Sequence, residues 1–164
     1  MEKILTGLLE NMMSQFELYQ RVLSLASEKK SVLVKGDIHQ LERITKEEEG
    51  LILQVGRLEE QRLSLQRDIA GHFALSAADL TVSDIIDRVE EPISAQFRHV
   101  VENMTDVLKK LAETNEANTE LVRNSLEFVN FYFNVLTDND STPSYGEKED
   151  SQKGNAAKIF DRKV

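Results

Sequence analysis

The sequence contains no cysteine and no tryptophan, and only two of its 164 residues are proline. Without cysteine, neither a disulfide framework nor a thiolate metal site can form; this fits a reducing compartment and is also compatible with export. Proline and glycine are scarce, whereas Leu, Glu, Lys, Gln and Arg are abundant. This composition favours helices, and 40% apolar residues indicate a folded body.

Long apolar runs and basic patches are also missing. The N-terminal stretch MEKILTGLLENMMSQFELY carries Glu2, Glu10 and Glu17 among spaced apolar residues. A signal peptide needs an unbroken apolar run, and a transmembrane helix needs roughly 18 such residues. The 29 acidic and 20 basic side chains give a formal charge of -9, which a phosphate backbone would repel. We therefore expect a cytoplasmic protein that neither inserts into a membrane nor binds nucleic acid.

The length fits one all-α domain, and we predict an antiparallel bundle of three long helices with a short helix before the third and a C-terminal tail. The predicted helices cover about residues 1–34, 38–71, 83–90 and 92–136. They form a bundle over residues 1–136, and residues 137–164 form the polar tail.

The first helix carries an apolar seam with alternating steps of four and three residues. Its members are Leu5, Leu9, Met12, Phe16, Tyr19, Leu23, Ala26 and Leu33. Gly36 can end this helix in a left-handed conformation, and Asp37 can cap the next one with Gln40 as its capping-box partner. So short a corner makes the two helices pack antiparallel.

The second helix has a heptad seam that also includes two charged residues, Glu48 and Arg62. The apolar members are Leu41, Ile44, Leu51, Val55, Leu58, Leu65 and Ile69. We expect both charged side chains at the margin of the seam, with their heads in water. A buried switch is the alternative. Further along the chain, Ser76–Asp79 and Thr81–Asp84 have the pattern of helix starts, and Pro92 suits a first helical residue.

The third long helix carries two apolar stripes, which turn polar around ETNEANTE. One stripe is Val100, Met104, Val107, Leu111, Thr114, Asn118, Leu121, Ser125, Phe128, Tyr132 and Val135; the other is Phe97, Val101, Met104, Leu108, Leu111, Asn115, Asn118, Val122, Leu126, Val129, Phe133 and Leu136. The asparagines could fix the register of a helical interface, face solvent or mark a bend.

The end of this helix, SLEFVNFYFNVL, holds four of the ten aromatic residues of the chain within six positions. Its apolar groups occupy more than the one face that a three-helix bundle must cover. We expect one stripe to pack on the first two helices and the remaining apolar surface to bind a partner, or a second copy in a homodimer or swapped oligomer. The candidate partner-binding residues are Val122, Leu126, Phe128, Val129, Phe131, Tyr132, Phe133, Val135 and Leu136.

The sequence offers no pattern for catalysis, a cofactor or a metal. His39, His72 and His99 lack the companions of a zinc or di-iron motif, and the glycines are scattered singly. The successive glutamates 47–49 point in different directions on a helix, and Arg57, Arg62 and Arg67 spread around theirs. We therefore expect a protein that is not an enzyme.

The tail is polar and rich in turn-forming residues, which is typical of a flexible segment. It ends in a short apolar and basic group formed by Ile159, Phe160, Asp161, Arg162, Lys163 and Val164. Such an end is either without special function or a linear motif that a partner reads.

Three blocks together resemble the FlgN family of flagellar export chaperones. They are LVKGDIHQLERITKEEEGLI at 33–52, NTELVRNSLEFVNFYFNVL at 118–136, and the tail with Tyr145-Gly146 followed by IFDRKV. The resemblance implies a cytoplasmic chaperone of flagellar type III secretion that binds hook-associated (hook–filament junction) proteins, prevents their early assembly and delivers them to the export gate. It also places client binding in the C-terminal part and makes Tyr145 the candidate contact with the gate. The rival interpretation is a helical adaptor or structural protein without an export role.

Overall fold

The computed structural model describes residues 1–78 and 80–138, and this part of the chain is all-helical. The four helices are α1 (Glu2–Lys35), α2 (Ile38–Phe73), α3 (Val82–Arg88) and α4 (Ile93–Asp138). The all-helical class predicted from composition is confirmed, with three long helices and one short one. The described chain divides into two units between Glu127 and Phe128, and α4 contributes to both.

The corner between α1 and α2 has the backbone geometry that its sequence predicts. Gly36 adopts a left-handed conformation with φ of 68°, and its N–H donates to the carbonyl of Leu33 over 3.2 Å. The Asp37 carboxylate accepts a hydrogen bond from the backbone N–H of Gln40 at 3.1 Å. The second half of the predicted capping box is absent, because the Gln40 side chain accepts from Arg43 instead.

Helices α1 and α2 run in opposite directions along each other, linked by amide side chains near their middle. Asn11 Nδ2 donates to the carbonyl of Leu58 at 3.0 Å, and Gln15 Nε2 donates to Glu59 at 3.4 Å. Nearer the corner, Lys29 of α1 pairs with Glu48 of α2. From Asn11 to Lys29 along α1, the partner on α2 therefore shifts back from Leu58 to Glu48, as expected for antiparallel helices.

The buried stripe of α1 differs from the predicted seam by one residue over much of its length. Its members are Leu5, Leu8, Asn11, Met12, Gln15, Leu18, Val22, Ala26 and Val32. Leu9, Phe16, Tyr19 and Leu23, which the apolar spacing favoured, are only half-buried. Asn11 and Gln15 can occupy the interior because partners on α2 accept hydrogen bonds from their amides. The spacing of apolar residues in α1 cannot predict such partners.

Two apolar clusters join the long helices within residues 1–127. The larger brings Leu5 and Leu8 of α1 against Ile69 of α2 and Phe97 of α4, with Ile85 of α3 at the same place. The smaller contains Leu18, Val22 and Leu51, with Leu111 of α4 packed against it. α3 is held in position by the predicted capping box, in which Thr81 and Asp84 bond each other reciprocally.

Glu48 is a buried residue, so the expectation that its head lies in water is wrong. Its residue exposure is 8%, and its carboxylate is paired with the ammonium group of Lys29. Arg62 is half-buried and forms two hydrogen bonds to the Glu59 carboxylate, of 2.8 and 2.7 Å. Each charge has an oppositely charged partner, Lys29 of α1 for Glu48 and Glu59 of α2 for Arg62. This pairing allows the charges to be buried, and the position of a residue on the seam does not predict it.

Burial along α4 ends at Asn118. Its Nδ2 donates to the carbonyl of Ala26 over 2.8 Å, which puts these two residues of α1 and α4 side by side. Leu121 is half-buried, and every residue from Val122 to Thr137 is exposed. Asn115 also faces solvent, so of the two seam asparagines only Asn118 has the position of a register-fixing residue.

Candidate partner-binding surface

The last part of α4 exposes every one of the nine residues predicted to bind a partner. We call these residues the apolar end of α4. Their exposed fractions are 41% for Val122, 58% for Leu126, 61% for Phe128, 59% for Val129, 63% for Phe131, 51% for Tyr132, 67% for Phe133, 43% for Val135 and 67% for Leu136. An exposed apolar series of this length marks an interaction surface in a folded protein.

The expectation that one of the two stripes packs on the first two helices is wrong for this segment. Both stripes are exposed from Val122 onwards. Apolar periodicity predicts which residues share one face of a helix, but it does not predict whether another helix covers that face.

Aromatic contacts order the side chains within this segment. The rings of Phe128 and Tyr132 have centroids 4.6 Å apart and are tilted by 53°, and Phe131 meets Tyr132 edge-on at 6.0 Å. These pairs are one and four residues apart on the same helix, so the segment orders its own rings.

The stretch at residues 128–137 carries no charged side chain. Residues 128–137 read FVNFYFNVLT, and the charged positions nearest before it are Arg123 and Glu127. A surface of this kind can be covered without stripping water from a charged group, which avoids a desolvation cost.

Other exposed apolar residues lie on α1 and α2, where the sequence pattern did not draw attention to them. Val34 and Ile38 flank the corner and are each 70% exposed, and Ile52 and Leu53 are 61% and 67% exposed. All four lie outside the heptad seams. Apolar residues outside a seam are the sequence signal that could have identified them.

Two basic side chains of α2 line the same groove. Arg62 and Arg67 both border an opening of about 580 Å³ between α2 and the residues after it. Residues five apart differ by about 140° around a helix, enough to form two walls of a wide groove. A hydrogen bond to Glu59 raises the pKa of Arg62, and the same bond lowers the pKa of Glu59.

Within residues 1–78 and 80–138, no cluster of three or more His, Cys, Asp or Glu side chains could hold a metal ion. None of the helices in this part of the chain combines the length and apolarity that crossing a bilayer demands. The predicted tail contacts, Tyr145 and the group Ile159–Val164, lie outside the described residues.

The described part of the chain is all-helical and exposes an apolar surface at the end of α4. Comparison with known proteins then identifies its family. The model of the FlgN protein family matches residues 1–153, and the chain belongs to this family of flagellar export chaperones. The matched range includes Tyr145 but not the final group Ile159–Val164.

A curated relative shares the length of this chain. The uncharacterized protein YvyG of Bacillus subtilis (strain 168) is 24% identical over 149 residues, which cover 90% of this chain and 91% of the relative. No solved structure matches.

Proposed function

We propose that this protein is a cytoplasmic export chaperone of the flagellar type III secretion system that binds hook-associated proteins. It keeps these junction proteins from assembling early and delivers them to the export gate. The observation that carries the proposal is the exposure of all nine residues of the apolar end of α4 in a chain of the FlgN family. The proposal includes no catalytic step, cofactor or metal.

The mechanism follows from what an unpartnered amphipathic helix needs. A junction protein whose terminal helices stack in the assembled structure exposes their apolar faces while it is a monomer. A chaperone that lays its own apolar helix against such a face covers the self-association surface. Phe128 and Tyr132, whose rings already contact each other, serve as the central anchors.

The remaining parts of the chain take separate roles in this proposal. Residues 1–136 act as one domain, in which the three long helices form an antiparallel bundle that carries the client. Residues 137–164 act as a polar tail, with Tyr145 contacting the export gate and Ile159–Val164 forming a motif that the gate reads. A homodimer or a swapped oligomer covers the apolar end of α4 when no client is present.

Calorimetry with the hook-associated proteins encoded in the same genome tests the client-binding step. The double substitution Phe128→Ala and Tyr132→Ala should weaken binding by about tenfold or more, since truncating central aromatic anchors typically costs this much. Helicity and the melting temperature should stay nearly unchanged, because the two residues are 61% and 51% exposed. Val34→Ala with Ile38→Ala removes apolar groups elsewhere that are at least as exposed, and it should leave affinity unaltered. A folded Phe128/Tyr132 variant with wild-type affinity would exclude this surface as the client site.

Deleting residues 140–164 separates the chaperone from its main rival, an adaptor without an export role. The truncated chain should bind its client with wild-type affinity and fail to support secretion of that client. Tyr145→Ala in the full chain tests whether one side chain accounts for the loss. Wild-type secretion by the truncated chain would show that the tail is dispensable, and wild-type secretion in cells that lack the whole protein would favour the adaptor.

A further inference from the structure

The apolar side chains of residues 128–136 surround more of the helix than one partner helix covers. At about 100° per residue, Phe131, Val135, Phe128, Tyr132, Leu136, Val129 and Phe133 follow one another around an arc of roughly 200°. Asn130 and Asn134 occupy the remaining side. The apolar face by which a helix packs on its surroundings starts at a width of about 100°, so this arc is about twice that minimum.

The first half of α4 shows what covers an arc of this width. Between Phe97 and Asn118, the buried and half-buried apolar residues range around the helix from Ala117 to Val101, again roughly 200°. This side contacts both α1 and α2, because Phe97 clusters with Leu8 and Ile69, and Leu111 packs against the cluster of Leu18, Val22 and Leu51. Two helices together bury it.

From this match we infer that the apolar end of α4 is covered by two helices of one client molecule at the same time, forming a three-helix arrangement with α4. The inference rests on the proposed function and specifies the kind of partner. A single amphipathic helix would leave Phe131 or Phe133 in water, because these rings point about 160° apart. A pair of helices covers both edges.

The chemistry of the segment limits what this pair presents. Residues 128–137 contain no charged side chain, so a charge on either facing helix would lose water without gaining an ionic partner. Each helix of the client therefore brings an uncharged apolar stripe. The seven apolar residues from Phe128 to Leu136 expose roughly 700 Å², close to the roughly 800 Å² per partner of a stable interface.

The test compares the two edges of the arc in the full-length chain. Phe131→Glu and Phe133→Glu are made separately, with Asn130→Glu as a control that adds the same charge on the polar side. Affinity for the hook-associated proteins of the same genome is measured by calorimetry. Covering by two helices predicts that each Phe variant loses about tenfold or more in affinity, and that Asn130→Glu changes it less than about twofold. Phe131→Ala and Phe133→Ala repeat the comparison without a new charge.

Three results would overturn the inference in distinguishable ways. Loss of affinity in only one of the two Phe variants means that a single helix covers α4, and the proposed function stands. A wild-type dimer in sedimentation that both variants dissociate, with client affinity unchanged, assigns the surface to a second copy. A wild-type chain that binds none of the hook-associated proteins removes the proposed function itself, and the assignment of a client pair with it.

Discussion

The amide of Asn118 on α4 donates a hydrogen bond to the carbonyl of Ala26 on α1 over 2.8 Å, while its own Oδ1 is buried without a partner. Asn118 is 5% exposed, and none of the α4 residues from 119 to 137 is buried. The hydrogen bond fixes the register of α4 against α1. The buried unpaired oxygen lowers the stability of the folded state.

Replacing this asparagine with leucine should stabilise the chain. Asn118→Leu removes the buried unpaired oxygen and adds apolar contact, and we expect the free energy of unfolding to rise by about 1 kcal/mol. Urea denaturation followed by circular dichroism measures the change. Asn115→Leu, at an exposed position on the same stretch, is the matched control and should have little effect. A less stable Asn118→Leu chain would show that the single hydrogen bond outweighs the unpaired oxygen.

Removing Lys29 should destabilise the fold through Glu48. Lys29→Met leaves the carboxylate of a residue that is only 8% exposed without its cation, and we expect a loss of about 1–3 kcal/mol in unfolding free energy. The double variant Lys29→Met with Glu48→Leu should recover most of it, because neither charge is then buried alone. Arg43→Met breaks pairs that are largely exposed and should cost clearly less unfolding free energy than Lys29→Met. Equal losses in the single and the double variants would mean that packing of the lysine stem dominates.

Truncation of two phenylalanines of α4 should lower the free energy of unfolding by very different amounts. Phe97 is fully buried in the larger cluster, so Phe97→Ala should cost about 3–5 kcal/mol. Phe133 is 67% exposed, so Phe133→Ala should change the free energy of unfolding by less than about 0.5 kcal/mol. Thermal and urea unfolding of the free chain supply both numbers. A large loss in Phe133→Ala would mean that this ring is part of the folded core.

Glu59 should make stability depend on acid pH. Its hydrogen bond from Arg62 lowers its pKa below the ordinary value of 4.5, so the folded state holds the carboxylate ionised more strongly than the unfolded state does. This contribution is complete above about pH 4.5 and disappears as the pH falls through the lower folded value. Urea midpoints from pH 7 to 3 should therefore converge between wild type and Glu59→Gln as the solution becomes acidic. A constant difference across this range would contradict the assignment.

Periodicity and turn chemistry were sufficient for the helices and the corner. The αL glycine at 36, the cap at Asp37 and the box at Thr81 are local signals, and each is present in the structure. The buried stripe of α1 was not predictable in the same way, because Asn11 and Gln15 enter the interior only where α2 offers partners. Apolar excess predicted the exposed end of α4, but no local signal indicated that both of its stripes would lack an intramolecular cover.

The continuity of α4 has a consequence for recognition. A separate helix of the eleven residues from 128 to 138 would be only marginally stable in water, because starting a helix is unfavourable. As the extension of an anchored helix, this segment needs no nucleus and adds turns to one that already exists. In the proposed function it therefore meets its partner already folded, so little conformational entropy is lost when the two associate. The buried first half of α4 would in this way preorganise residues 128–138 for binding.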